Sequence, residues 1–363
     1  MFCHRRYLLC FLLFASQWTF AICQNDHAYD IACLRTHYAK PTTEWRAPTV
    51  DDDINWTELA PITPYQPAPP TPLAELGKAL FFEKALSSNR QIACVSCHDP
   101  NHAFADPRTV SLGVFDRQGK RNAQSLVHLG LDGQKSHGFF WDGRATTLGK
   151  QVLMPLTDPN EMDITLDSVP TRLVDAGYLP RFQATFGKEL TDIDISQVAQ
   201  SLTAYLHTLT PKPTRFDDFL NGDMTALTDS ELLGLHLFRT KARCMNCHFG
   251  QALTDNQFHN LNQTLARRKW QDFGKYANTE NPSDFGKFKT PSLRNLSVSK
   301  PWFHHGLFVN LRGVVAIYNR GMPLPPTKDA LPIAHENHLD PLIKPLNLTP
   351  DEMDALTAFL MVL

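Results

Sequence analysis

The chain has 363 residues, with 35 Lys and Arg against 37 Asp and Glu, a formal charge of −2. That length supplies about two domains and ample material for hydrophobic cores, and a composition 42% hydrophobic and 20% charged excludes a disordered chain. The near-zero balance lacks the basic face that nucleic-acid binding uses, so no nucleic-acid partner is expected.

Arg5 and Arg6 precede an apolar run at residues 7–15, and Thr19-Phe20-Ala21 reads as a small-residue cleavage site. The run is shorter than the roughly 18 residues a spanning helix needs, so residues 1–21 are expected to be a signal peptide and the mature protein periplasmic. An uncleaved anchor, or a lipoprotein site at Cys23 behind the bulky Ile22, fits less well. Of eight cysteines, Cys3 and Cys10 would leave with the signal, and Cys23 and Cys33 could form one small disulfide. Residues 22–72 form an extension that ends in a stiff Pro-rich connector. With Trp45, Trp56 and Tyr65 it reads as a strap on the protein's own surface rather than a docking arm. From Leu73 onward helix patterns recur at 73–82, 196–209, 228–239, 311–319 and 350–363. Two open with capping boxes, Thr228 with Glu231 and Thr349 with Glu352. Strand alternation is scarce, so the class is mainly α with long irregular loops.

The pattern repeats internally. Leu76-Gly77 and Leu80-Phe81 precede Cys94, as Leu233-Gly234 and Leu237-Phe238 precede Cys244, and Ala103-Phe104-Ala105-Asp106 echoes Ala252-Leu253-Thr254-Asp255. Two similar domains related by duplication are expected, each built around one Cys pair.

Those pairs are Cys94-Val-Ser-Cys97-His98 and Cys244-Met-Asn-Cys247-His248, both C-x-x-C-H, the attachment pattern of c-type haem. Two thiols one turn apart reach the two vinyl groups on one porphyrin edge, and the next His lies under the iron. A four-Cys zinc site would close over a shorter span and needs no His after each pair. A redox dithiol would need a βαβ context that is missing. Two covalently bound haem c groups are the expected cofactors.

From about Leu73 to the C-terminus the chain resembles the bacterial dihaem cytochrome c peroxidases and their MauG-type relatives. Beyond the haem motifs, the matching residues are 76–82 (LGKALFF), Arg121-Asn122, Phe140-Trp141-Asp142-Gly143-Arg144, Gln151 through Glu161-Met162, 289–295 (KTPSLRN) and 315–321 (VAIYNRG). The resemblance implies that the two duplicated halves are cytochrome c-like haem domains, a peroxidatic N-terminal one at 73–209 and an electron-relay C-terminal one at 210–348, with a final helix at 349–363 folding back onto the N-terminal domain. It implies His98 and His248 as proximal iron ligands. Glu161 would be the distal catalytic carboxylate, with Gln151 and Pro155 lining the same pocket, and Trp141 the relay between the haems. A Ca2+ at the domain interface would be held by Asn122 and the backbone of Ser299 and Pro301. Tyr318 would be the second axial ligand of the C-terminal haem, as in MauG, where true cytochrome c peroxidases place a Met; Met322 is the competing ligand. The distal His that caps the peroxidatic iron in resting family members has no counterpart in Leu112-Gly113-Val114-Phe115-Asp116, which implies an open iron. His102, His128 and His137 lie nearby and read more simply as loop or supporting residues.

The implied reaction is reduction of hydrogen peroxide to water at the N-terminal haem. Electrons would pass through the C-terminal haem from a small periplasmic donor, a cytochrome c or a cupredoxin. The alternative is a MauG-like enzyme that oxidises Tyr or Trp residues of a partner protein. A dihaem electron carrier without catalysis is a further alternative. Self-association as a homodimer is compatible with all three.

Overall fold

The computed structural model describes residues 23–25, 28–62, 70–131, 137–266, 268–323 and 339–363. The signal-peptide expectation at 1–21 and most of the Pro-rich connector lie outside them. Short helices joined by long irregular segments dominate. The strands form two small antiparallel pairs, Gln24–Asn25 with Ala28–Tyr29 and Phe258–Asn260 with Lys287–Lys289. Among the described residues no helix is long and apolar enough to cross a membrane.

Two helix pairs organise two hydrophobic cores. Pro72–Phe81, capped by Thr71 with Pro72 at its first position, crosses Ile195–Leu206. A Cβ on Gly77 would lie 1.8 Å from the Ser201 carbonyl oxygen, so only glycine permits this approach. Leu76, Leu80, Phe81, Val198 and Leu202 seal the joint. The second pair repeats the device. Asp229–Arg239 crosses the last helix, Pro350–Leu360, and a Cβ on Gly234 would lie 2.1 Å from the Ala355 carbonyl oxygen. Phe359 packs edge-on against Phe216 and Phe238. Both capping boxes form as read: Glu231 and Glu352 each receive the backbone N–H of their Thr, and each Thr hydroxyl receives the Glu N–H. Gly77→Ala or Gly234→Ala is expected to destabilise by about 1–3 kcal/mol or more, because the obstructing atom is backbone. Urea unfolding of the two variants checks this.

The last helix corrects an expectation. It does not fold back onto the N-terminal domain; its apolar face covers Asp229–Arg239, and Lys241 and Arg312 pair with its Glu352 and Asp354. The reason is the groove at Gly234, which admits a helix as the groove at Gly77 admits Ile195–Leu206.

The extension holds a helix that its weak periodicity hid, Ile31–Tyr38, capped by Asp30 and tied by the Cys23–Cys33 disulfide. It buries only Leu34 and Tyr38, both against Asp229–Arg239. Downstream the strap runs over the second Cys loop: Asp51 N–H donates to Asn246 Oδ1 at 3.0 Å and Gly250 N–H to Thr57 O at 3.2 Å. Between the halves, Arg121 bridges Asp142 at 2.6 Å and Asp272 at 2.6 Å.

Candidate functional site

Each Cys-pair loop is a single tight turn. The N–H groups of Cys97 and His98 both donate to the Cys94 carbonyl, and those of Cys247 and His248 both donate to that of Cys244. The four cysteines are free thiols. Burial pushes Cys94 and Cys244 up to about 12 and Cys97 up to about 11, the opposite of an activated redox dithiol.

The histidine after each pair is oriented by a backbone carbonyl. His98 Nδ1 lies 2.9 Å from Phe104 O, and His248 Nδ1 lies 2.9 Å from Leu253 O. A carbonyl only accepts, so Nδ1 carries the proton and Nε2 is left with its lone pair, the arrangement a metal-ligating imidazole needs. Phe104 and Leu253 are the second residues of the two echoed tetrapeptides, and both hold a left-handed backbone, at φ 57° and 52°. The echo in the sequence is therefore the strut that aims each histidine.

A large, mostly apolar cavity opens on the second loop, with Cys244, Cys247 and His248 on its wall. Tyr318, from the helix Leu311–Asn319, lines the same cavity, and burial holds its phenol well above the ordinary range. Met322, wholly buried, is not part of that wall; its carbonyl accepts Asn262 Nδ2 at 2.9 Å. His304, also on the lining, stacks on Phe288 at 3.5 Å, and its buried Nε2 has no partner among the described residues. Free thiols, an imidazole nitrogen with its lone pair, an apolar wall and an orphaned polar atom together fit a covalently attached porphyrin. A four-Cys zinc site does not fit. Among the described residues the metal-ligand grouping is Cys247, Asp255 and His259, with one of the four cysteines.

Glu161 stands beside the first loop. The segment at 112–116 packs on its backbone: Val114 N–H donates to Glu161 O at 2.8 Å, and a Cβ on Gly113 would lie 2.1 Å from Asn160 O. Burial, reinforced by Asp158 and opposed by Arg144, pushes the Glu161 carboxyl up to about 7. Its charge reaches the thiols of Cys94 and Cys97. Pro155 belongs to the same turn, its carbonyl accepting Met162 N–H at 3.2 Å, while Gln151 closes the short helix Leu148–Gln151, half-buried. His102 is held by Asp99 at 2.8 Å, His137 is exposed, and burial lowers His128 to about 4.

Trp141 joins the two halves. Its indole N–H donates to Asn122 O at 2.9 Å, and its ring lines the C-terminal cavity. Two residues beyond Asn122, the Gln124 backbone faces the His98 ring, so residues 122–124 link the indole to the N-terminal site. Asn122 spends its amide nitrogen on the carbonyls of Asp106 and Arg108, which leaves Oδ1 as its acceptor end. Asn122, Ser299 and Pro301 border the same cavity.

Two residues of this region carried no sequence signal. One is His304. The other is His259, gripped by Asp255 at 2.8 Å and Asp340 at 2.7 Å; burial opposes its charge, but those hydrogen bonds push it up to about 12. Asp255 is only four residues from His259, but Asp340 and, for His304, Phe288 are reached only through the fold.

A model of the di-haem cytochrome c peroxidase family matches residues 71–225. The methylamine utilization protein MauG of Methylophilus methylotrophus is 34% identical over 250 residues, covering 68% of this chain and 71% of its own. The cytochrome c551 peroxidase of Nitrosomonas europaea is 32% identical over 265 residues, covering 72% and 77%. Among solved structures, a MauG-like protein associated with microbial copper homeostasis superimposes with a TM-score of 0.71 at 27% identity, over 86% of this chain and 95% of that one. The diheme peroxidase BthA of Burkholderia thailandensis gives 0.69 at 26% identity, over 87% and 92%.

Proposed function

The chain belongs to the di-haem cytochrome c peroxidase and MauG family and is an oxidoreductase acting on peroxide; on that premise we propose that it reduces hydrogen peroxide at the Cys94–His98 site and draws the electrons through the Cys244–His248 site. Two haem groups go with the family, and here both are read as covalent haem c, attached through Cys94 and Cys97 and through Cys244 and Cys247. His98 and His248 would hold the irons through Nε2. The haems supply the redox equivalents. The protein's own part is to aim those nitrogens, exclude water and move protons.

Glu161 is the observation that carries the reading. A half-buried carboxyl beside the first Cys loop, its pKa pushed up to about 7, exists in both protonation states at neutral pH. It can take the proton from the near oxygen of peroxide and deliver it to the far oxygen, where the leaving water forms. No histidine occupies 112–116 to compete for the open face, so the resting protein should consume peroxide without prior reduction. Rapid mixing of the ferric protein with peroxide tests this: fast consumption supports the proposal, and a requirement for pre-reduction contradicts it.

Trp141, bonded to Asn122 and lining the second cavity, is read as the relay, and Ca2+ at Asn122, Ser299 and Pro301 as the brace of that junction. The paired glycine joints and the two struts at Phe104 and Leu253 support duplication as the origin of the halves. Export to the periplasm, a cytochrome c or cupredoxin donor, and a homodimer remain part of the proposal.

A second reading is favoured by Tyr318. A phenolate ligand is hard and favours higher oxidation states of iron, whereas a thioether raises the potential toward the reduced state. With Tyr318 on the cavity wall and Met322 outside it, oxidation of Tyr or Trp residues on a partner protein, as in MauG-type enzymes, becomes accessible. Mass spectrometry of the intact protein should show two haem adducts, falling to one when Cys244 and Cys247 are both changed to Ala.

A further inference from the structure

We propose that Tyr38 and His236 form a proton-coupled redox site, in which Tyr38 yields one electron toward the C-terminal haem while its phenolic proton passes to His236 Nδ1. The site rests on the proposed function only for its oxidant. Tyr38 belongs to the strap, ahead of residue 71 where the family match begins.

The pair is enclosed. Tyr38 and His236 are each 1% exposed, and Tyr38 Oη lies 3.0 Å from His236 Nδ1. Arg239 Nη1 approaches the same Oη at 3.5 Å. Arginine only donates, so the hydroxyl hydrogen is left to point at Nδ1. Burial holds the Tyr38 phenol above its ordinary range, so phenolate is not the resting form. Burial and the nearby Arg239 push His236 down to about 4, so its imidazole is neutral and Nδ1 is free to accept. An oxidised phenol is a far stronger acid than even this weakened imidazolium, and the proton therefore moves downhill as the electron leaves. Glu58 pairs with Arg239 and balances its charge, leaving the proton on His236 as the one added charge.

The location suits exchange with the second haem. His236 lies on the helix Asp229–Arg239, and Phe238 of that helix lines the haem cavity. At Tyr38 that helix, about 10 Å across with its side chains, is the element between the strap and the cavity. Trp45 meets the Tyr38 ring edge-on at 4.8 Å, and Tyr29 meets the His236 ring at 5.5 Å. In balance, Tyr38 loses one electron and one proton, the oxidised C-terminal haem gains the electron, and His236 gains the proton. A one-electron donor at the strap surface returns the electron, and His236 returns the proton.

The full-length dihaem protein should be oxidised in two ways, by hydrogen peroxide and by a photogenerated ruthenium(III) oxidant, and frozen for electron paramagnetic resonance. A tyrosyl radical is expected in both arms. It should fall at least tenfold in Tyr38→Phe and in His236→Gln, and be unchanged in Tyr29→Phe, with the haem optical spectra intact in each variant. A Tyr38-dependent radical in the photo-oxidation arm alone supports the redox site while contradicting peroxide reduction. A radical that survives Tyr38→Phe, or none in either arm, overturns the proposal. A radical insensitive to His236→Gln overturns the pairing.

Discussion

Glu161→Gln is expected to slow peroxide consumption by about 10²–10⁴-fold, the range that a positioned general acid–base contributes. Gln keeps the size and polarity of the side chain but cannot accept the proton that O–O cleavage must relocate. In the role proposed for Glu161 the carboxylate would be the reactive form, and burial pushes its pKa up to about 7. The rate should therefore rise with pH through about 7 and fall tenfold per unit well below it; the variant should lose that ionisation. Arg144 opposes the upward shift, so Arg144→Met should move the profile to higher pH. Stopped-flow rates from pH 5 to 9 check both, and a flat profile for the parent would remove Glu161 from the mechanism.

Arg294→Met should produce the largest loss of stability, about 3–5 kcal/mol, because it strands a buried carboxylate. Arg294 and Asp217 are each 1% exposed or less and pair at 2.9 Å. The guanidinium also donates to Gln251 O at 2.7 Å, just after the second Cys loop, and to Ala60 O at 2.7 Å on the strap. Asp217 in turn accepts the N–H groups of Ile62 and Thr214. One ion pair thus fastens strap, helix and second Cys loop. At about 2–4 °C per kcal/mol for a domain of this size, the C-terminal thermal transition should drop by roughly 6–20 °C. The double variant Arg294→Met with Asp217→Asn should recover part of the loss.

How much of this was legible in the sequence follows from how local each signal is. The capping boxes at Thr228 and Thr349 span four residues and formed as read. The C-x-x-C-H loops are equally local. The final helix announced through Met353, Leu356, Phe359 and Leu360 that it needed a partner, but not which one; that depended on Gly234, whose significance appears only when a helix lies against it. Ile31–Tyr38 escaped notice because two buried positions make no period. At the site, the echo between 103–106 and 252–255 was visible, yet its purpose was not, since the carbonyls of Phe104 and Leu253 act only once the chain has turned back on each histidine. His259 and Asp340 meet from far apart, and His304 reaches the same cavity as His259 from another segment, so no spacing rule could assemble them.

Electron paramagnetic resonance of the resting ferric protein tests the proposed open N-terminal iron and Tyr318 ligation of the C-terminal iron. One high-spin and one low-spin haem are expected, with the low-spin signal altered by Tyr318→Phe and untouched by Met322→Leu. Two low-spin signals, or a low-spin signal that responds to Met322→Leu and ignores Tyr318→Phe, would contradict that proposal.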